Sequence, residues 1–261
     1  EQVCSSLSTA ITGLSQWLED RGLMLNQKKT QALLITPRGP APDTDNIRIR
    51  CGNAALAVVE QARYLGVMVD GQLSWEPHVN HTIQQVRKSV GALWRSRRSL
   101  TLASKILFYR SMIQGRLSYA SNAFYPSLQI GNMEPLTRLT KCAIRGFFGL
   151  PPWSRTSPIF EQLRLTTLED MFNIKLLIFV RRCLFSRASS LFTSFFVRVT
   201  GDRTRGAAHH LVRVPFWPGP AGRATMQFIG AVLWNQLPPD LRSEPSHLQF
   251  CALLKAHHGS V

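Results

Sequence analysis

Apolar residues recur at three- and four-residue steps over the first eighteen positions. Val3, Leu7, Ala10, Ile11, Leu14, Trp17 and Leu18 form a stripe that predicts an amphipathic helix with that stripe turned to a core. Arg21-Gly22 supplies the stop, because glycine accepts the left-handed conformation that commonly closes a helix. Leu25-Asn26-Gln27-Lys28-Lys29-Thr30 then runs into Gln31 to Ile35, which reads as a short buried strand. Pro37-Arg38-Gly39-Pro40-Ala41-Pro42 is loop punctuation. Ile47-Arg48-Ile49-Arg50 alternates apolar and basic, as a half-buried strand does, and Asn53 reads as a turn. Leu56 to Val59 and Tyr64 to Val69 are further apolar runs, and their spacing predicts a small antiparallel sheet.

From Pro77 onward the period changes from two to 3.6. Val79, Ile83, Val86, Val90, Leu93 and Trp94 mark one long helix. Leu102 to Leu117, Leu136 to Phe148 and Leu168 to Phe185 are three more, the third of these apolar on more than one face and therefore expected to be buried on several sides. Gly149-Leu150-Pro151-Pro152 ends the helix before it. Residues 200 to 222, rich in Gly, Pro, Arg and His, read as a loop. Arg223 to Leu237 and Ser246 to His257 close the chain as helices. The expected class is α+β: a small sheet and hairpin over residues 1–75, a helical domain over 76–155, and a helical C-terminal region over 156–261.

Charge narrows the function. The 261 residues carry 31 Lys and Arg against 15 Asp and Glu, a formal +16 with pI near 10.7. Such a field favours a polyanionic partner, nucleic acid before an anionic membrane surface. The 57 residues from Pro77 to Met133 hold eight basic side chains and no acid. On the helix starting near Val79 the apolar side chains cluster within roughly 60° of one direction. Arg87, Lys88, Arg95 and Arg98 fall on a flanking arc at about 80° to 180°. One face is thus built for a core and its neighbour for a phosphate backbone. Lys105 and Arg110 on the next helix extend the cationic set.

Other chemistries are poorly represented. Cys4, Cys51, Cys142, Cys183 and Cys251 are scattered, and their spacing makes neither a disulfide framework nor a zinc knuckle, which implies a reducing, intracellular setting. His78-x-x-His81 and Cys251…His257-His258 lack the further ligands that a tetrahedral metal site needs. The longest clean apolar run, Leu176 to Val180, is far short of the ~20 residues that span a bilayer. Glu1 to Leu7 has no secretory pattern, and an initial Glu fits a segment of a longer chain.

Two motifs in order, Leu25-Asn26-Gln27-Lys28-Lys29-Thr30 and Tyr64-Leu65-Gly66-Val67-Met68-Val69-Asp70, resemble the end of the palm of reverse transcriptases of non-long-terminal-repeat (LINE-type) retrotransposons. Leu107-Phe108-Tyr109-Arg110-Ser111-Met112-Ile113 with Leu117-Ser118-Tyr119-Ala120 is similar to the thumb helices of the same elements. Leu136-Thr137-Arg138-Leu139 through Leu150-Pro151 is similar to the helix and turn that follow. Leu233-Trp234-Asn235-Gln236-Leu237-Pro238-Pro239-Asp240-Leu241-Arg242, then Phe250 and Leu254-Lys255, is similar to a closing segment of such reading frames. The resemblance implies the C-terminal part of an RNA-directed DNA polymerase, acting on an RNA template and DNA primer in a nuclear or cytoplasmic ribonucleoprotein. It implies that Lys29 meets the leaving pyrophosphate in the complete enzyme, where a lysine supplies a proton or charge. It implies that Tyr64, Leu65 and Gly66 form a primer-grip hairpin, and that Asn26 and Thr30 close the turn.

The family's Tyr-x-Asp-Asp is absent from Glu1 to Val261. Two-metal phosphoryl transfer needs carboxylates holding Mg²⁺ between nucleophile and leaving group. Glu19 and Asp20 are adjacent on a helix, and Asp43 and Asp45 sit in a Pro-rich loop. The expectation is therefore a fragment without polymerase activity or a cofactor of its own, its Mg²⁺ belonging to the complete polymerase together with a missing N-terminal portion. The rival is a stand-alone nucleic-acid-binding or interaction module derived from such an element. A membrane-surface protein is a third class, resting on the basic helix and the Phe-rich 192–196 stretch.

Overall fold

The computed structural model describes residues 2–36, 47–52, 54–128, 130–185, 188–199, 210–217 and 219–258. The loop expected at Pro37 to Pro42, Asp43 and Asp45, the Asn53 turn, and most of the loop at 200–222 lie outside them. The chain divides into two compact units, residues 1–81 and 82–261.

The first unit opens with α1, Gln2–Glu19. Its end is a Schellman turn: Leu23 N donates to Leu18 O, Gly22 N donates to Glu19 O, and Gly22 takes φ +71°, a conformation free of Cβ conflict only for glycine. The stripe of α1 departs from expectation. Ile11 and Leu18 are half-buried together with Cys4, but Val3, Leu7, Leu14 and Trp17 are exposed. At 100° per residue the inward column is rotated about 100° from the apolar ridge. A stripe records which face gains by burial, and the elements that fold beneath α1 meet its neighbour instead.

Those elements are three two-stranded pieces. β1, Gln31–Leu33, pairs in parallel with β4, Ala57–Val59, in the register Ala32 to Val58. β2, Arg50–Cys51, and β3, Ala54–Ala55, are antiparallel, as are β5, Gln61–Tyr64, and β6, Val67–Asp70. The single antiparallel sheet expected from spacing is corrected by the parallel pair: the stretch between β1 and β4 gives the chain room to return in the same direction. Gln31 to Ile35 is also less buried than expected, since Leu34 and Ile35 are exposed. Ile49, Cys51 and Leu56 form the small core, with Cys4, Ile11, Leu25, Ala32 and Ile47 against it. Ser8 Oγ accepts from Arg50 N at 3.0 Å, which fastens β2 to α1.

α2, Glu76–Ser96, starts in the first unit and continues through the second. Among the described residues, the other elements of the second unit are helices, together with one antiparallel bridge between Arg198 and Val212. α3, Leu102–Phe108, passes into a π-helical segment, Tyr109–Gln114, and then α4, Gly115–Leu117. α5 is Ser121–Phe124 and α6 Ile130–Phe148, with Pro135 inside it. α6 begins six residues before the expected Leu136, so that Pro135 falls in its second turn, where its ring leaves one main-chain carbonyl without the usual donor. α7, Ser157–Gln162, precedes α8, Leu168–Leu184, and α9, Ser190–Thr193. α10, Pro220–Arg223, α11, Met226–Gln236, α12, Pro239–Ser243, and α13, His247–His258, complete the chain.

α8 is the axle of this unit. Phe172, Leu176, Leu177 and Val180 are almost fully buried, because α5, α6, α11 and α13 all pack on it. Gly230 lets α11 lie close, for a Cβ there would come within 2.9 Å of Val180 Cγ2. Trp234, Phe250 and Leu254 fill the space beside it. Arg181 is buried too. Its Nη2 donates to Glu244 O, and its guanidinium stacks on Phe185 and Phe250 at 4.6 and 4.5 Å.

Candidate nucleic-acid interface

In the first unit Lys29 ends a 3₁₀ turn, Gln27–Lys29, that leads into β1. Asn26 caps that turn: its Oδ1 accepts from Lys29 N at 3.2 Å, and its carbonyl accepts from Thr30 Oγ1 at 2.9 Å. The cap fixes the backbone and leaves the Lys28 and Lys29 side chains exposed. Three residues per turn set these two side chains about 120° apart.

Tyr64, Leu65 and Gly66 form the tip of the β5–β6 hairpin. Leu65 and Gly66 have φ +47° and +84°, as a two-residue turn of the type that matches strand twist requires. A leucine is an unusual choice at positive φ, where its Cβ is strained. The Tyr64 and Leu65 side chains are exposed, Leu65 to 74%. The hairpin base is held by His78, whose Nδ1 accepts from Met68 N at 3.4 Å. Burial first, and His81 second, lower the His78 pKa from its usual 6.5, so the ring stays neutral and able to accept.

In the second unit, α2 separates its two faces. Ile83, Val86 and Leu93 are buried, and Arg87, Lys88 and Arg95 are exposed. Arg98 lies beyond the last helical turn, in residues 97–99. It therefore leaves the arc that a continued helix would have given it. Trp94 also departs from the expected core set: it is 40% exposed, with the Arg97 guanidinium 3.9 Å over its ring. Arg97 Nη1 donates to Trp94 O, which holds the stack. Lys105 is half-buried on α3, and Arg110 is exposed on the π segment.

Apart from the half-buried Lys105, the eight cations of the acid-free stretch thus divide into two sets. Arg97 and Arg116 serve the fold, Arg116 by donating to Gln85 O of α2 at 2.8 Å. Arg87, Lys88, Arg95, Arg98 and Arg110 face solvent, and no ion pair among the described residues engages them. A groove of about 390 Å³ runs between α2 and α6, with Ile83, Val90 and Leu139 along it, the unpaired Arg87 at one side and Arg138, ion-paired with Glu134, also lining it. The face therefore combines unpaired positive charge with a concave apolar strip.

Over 171 residues, 64% of its length, the chain is 25% identical to the RNA-directed DNA polymerase from mobile element jockey of Drosophila melanogaster. The chain is related to the reverse transcriptases of non-LTR retrotransposons. The matched region is only 18% of the jockey polymerase. No protein-family model and no solved structure matches the chain.

Asp70 is buried, but its Oδ1 accepts from Gln72 N and Ser74 N at 3.1 and 3.0 Å, and its Oδ2 from Trp75 N at 3.0 Å. Both oxygens are thereby committed to a loop. Glu19 and Asp20 are exposed at the end of α1. Among the described residues no group of three or more His, Cys, Asp or Glu could hold a metal, and no helix is long and apolar enough to cross a membrane.

The sequence alone did not single out the stacked Arg97–Trp94 pair, the Arg116 tie or the π segment. An Arg three residues after a Trp, at the end of a helix, was the available signal for the first. The Arg116 tie depends on a contact between helices and had none.

Proposed function

We propose that this chain is the C-terminal part of a non-LTR retrotransposon reverse transcriptase, and that it grips the template–primer duplex without carrying out the polymerisation chemistry. The observation that carries the reading is the exposed flank of α2: Arg87, Lys88 and Arg95 stand unpaired beside a buried face, in a stretch with no acid. Backbone contacts of this kind suit an enzyme that copies any sequence, because phosphates position the nucleic acid and carry no sequence information. In this reading the α2–α6 region is the thumb, and the Tyr64–Gly66 tip approaches the primer strand. Lys29, in the complete polymerase, meets the departing pyrophosphate. The metal-binding carboxylates come from the part of the polymerase outside this chain, so the purified chain extends no primer on RNA with Mg²⁺ or Mn²⁺.

Duplex titration over a range of salt tests the grip. If about four to six phosphates are contacted, log affinity falls with log salt at a slope of roughly −4 to −5. Replacing Arg87, Lys88, Arg95 and Arg98 with Gln weakens binding evenly across sequences and flattens that slope. An unchanged slope in the quadruple variant would remove α2 from the interface.

A further inference from the structure

The second unit carries a further exposed feature, far in sequence from α2. Residues 210–217 form an extended segment that three contacts hold in place. Asn235 of α11 pairs with both backbone groups of Val212: its Oδ1 accepts from Val212 N at 2.9 Å, and its Nδ2 donates to Val212 O at 2.8 Å. Trp234 Nε1 donates to His210 O at 3.0 Å. Arg198 and Val212 form an antiparallel bridge, with Val199 N donating to Leu211 O and Arg213 N to Val197 O. The Trp234-Asn235 pair of the closing motif thereby acquires a role, which is to clamp this segment.

What the clamp presents is aromatic and cationic. Phe216 is 92% exposed and Trp217 43%. Arg213 and Arg223 are exposed on either side of them in sequence. Gly222 brings the chain back on itself so closely that a Cβ there would lie 2.2 Å from Trp217 Cβ. That close return sets the turn carrying Arg223 against Trp217. A hollow of about 480 Å³, lined by Gly219, Arg223, Ala224 and Ile229 with Pro126 opposite, opens beside it. From Arg203 to Pro239 the sequence contains no acid.

We propose that this clamped segment is a stacking platform for single-stranded nucleic acid. Phe216 and Trp217 receive base faces, and Arg213 and Arg223 meet the phosphates. Cations alone would serve duplex and single strand alike. Exposed rings gain only when a base face is uncovered, which a single strand offers and a paired duplex withholds. The clamp supplies the rigidity that lowers the ordering cost of binding. A membrane surface fits less well, because interfacial anchoring favours an amphipathic helix with a broad apolar face, and this segment is extended with two adjacent rings. The inference goes beyond the α2 reading and uses none of its residues.

Fluorescence anisotropy on the full chain tests it, with a labelled oligo-dT of about a dozen nucleotides and a blunt duplex as separate probes. Phe216→Leu should weaken oligo-dT binding by about 5- to 140-fold, the range expected for loss of one stacked base. It should leave the duplex affinity within about twofold, and Phe216→Tyr, which keeps the ring, should restore oligo-dT binding. Arg213→Gln should lower the oligo-dT salt slope by about 0.7, one phosphate on a single strand. Because Phe216 is almost wholly exposed, these variants leave the core intact. Failure of the wild-type chain to bind oligo-dT, or equal oligo-dT affinity in the wild type and in Phe216→Leu, overturns the platform. So does binding to phosphatidylserine-containing vesicles that Phe216→Ser abolishes while oligo-dT affinity stays intact. The duplex titration scores α2 and the oligo-dT titration scores the platform, so either reading can fail without the other.

Discussion

Asp70 Oδ2 accepts a hydrogen bond from Trp75 N at 3.0 Å, across a loop in which Leu73 and Trp75 both have positive φ. With Gln72 N and Ser74 N on its other oxygen, this buried carboxylate organises the whole passage from β6 into α2. Backbone at positive φ is costly for a side chain as large as Leu or Trp, so the loop depends on the acceptor at its centre. Asp70→Ala, which strands three donors, should destabilise the first unit by about 2–3 kcal/mol, and Asp70→Asn, which keeps an acceptor, by about 1 kcal/mol. Urea unfolding followed by circular dichroism measures both. Equal losses in the two variants would mean that the loop gains its order elsewhere.

Leu65 offers a contrast between stability and use. Asn-Gly is the favoured pair for a turn with two positive φ values, and Leu65-Gly66 departs from it at the first position. Leu65→Asn should stabilise the first unit by about 0.5–1 kcal/mol by relieving the strain on the leucine Cβ. Strain of this kind persists where a side chain is wanted for a task. If the hairpin tip meets the primer, the same variant weakens the hold on a primed template. A stabilised variant with unaltered primer binding would leave the tip without a role there.

The His78 ring gives the hairpin a pH dependence of definite sign. Its folded pKa lies below the usual 6.5 because burial disfavours the charged ring and His81 adds like charge. The unfolded chain therefore takes up a proton before the folded one does. The His78 contribution is complete above pH about 6.5 and is lost as pH falls from there toward the lowered folded value. The urea midpoint should drop between pH 7 and pH 5, and His78→Gln should remove most of that drop. A midpoint that rises on acidification would contradict the assignment.

If the chain is, as proposed, part of a longer polymerase, Lys29 can be tested in the complete enzyme. Lys29→Ala should slow nucleotide addition by about 10²-fold, as loss of a proton donor does, with little change in duplex affinity, since the charge it meets develops only as the bond breaks. Lys28 is the control, adjacent and equally charged but turned about 120° away on the 3₁₀ turn. Equal rate losses at both positions would reduce Lys29 to general charge.

Much of the helical half was legible because its signals are local. The span of α8 follows from Thr167 at the N-cap, acids in the first turn and Arg181-Arg182 in the last, and its many-sided apolar surface announced its burial. The end of α6 follows from Gly149, at φ +63° with Leu150 N donating to Arg145 O. The sheet was less legible. Whether Gln31–Leu33 pairs parallel or antiparallel depends on a partner 26 positions away, and the side chains of β1 read alike in either case. On the candidate interface, Arg87, Lys88 and Arg95 were visible from periodicity. Arg98 was misplaced because the angle count outran the helix. Arg116 could not be told from its neighbours, because donation to Gln85 O is a property of two helices together.

The ridge of Val3, Leu7, Leu14 and Trp17 along α1 leaves apolar surface in water, and charge sets how closely two such ridges approach. At +16 two molecules repel over the ~10 Å reach that moderate salt allows, and the greasy ridges stay apart. Added salt shortens that reach. Raising the salt therefore weakens the repulsion that keeps the exposed ridges of two copies apart, so solubility should fall as ionic strength rises.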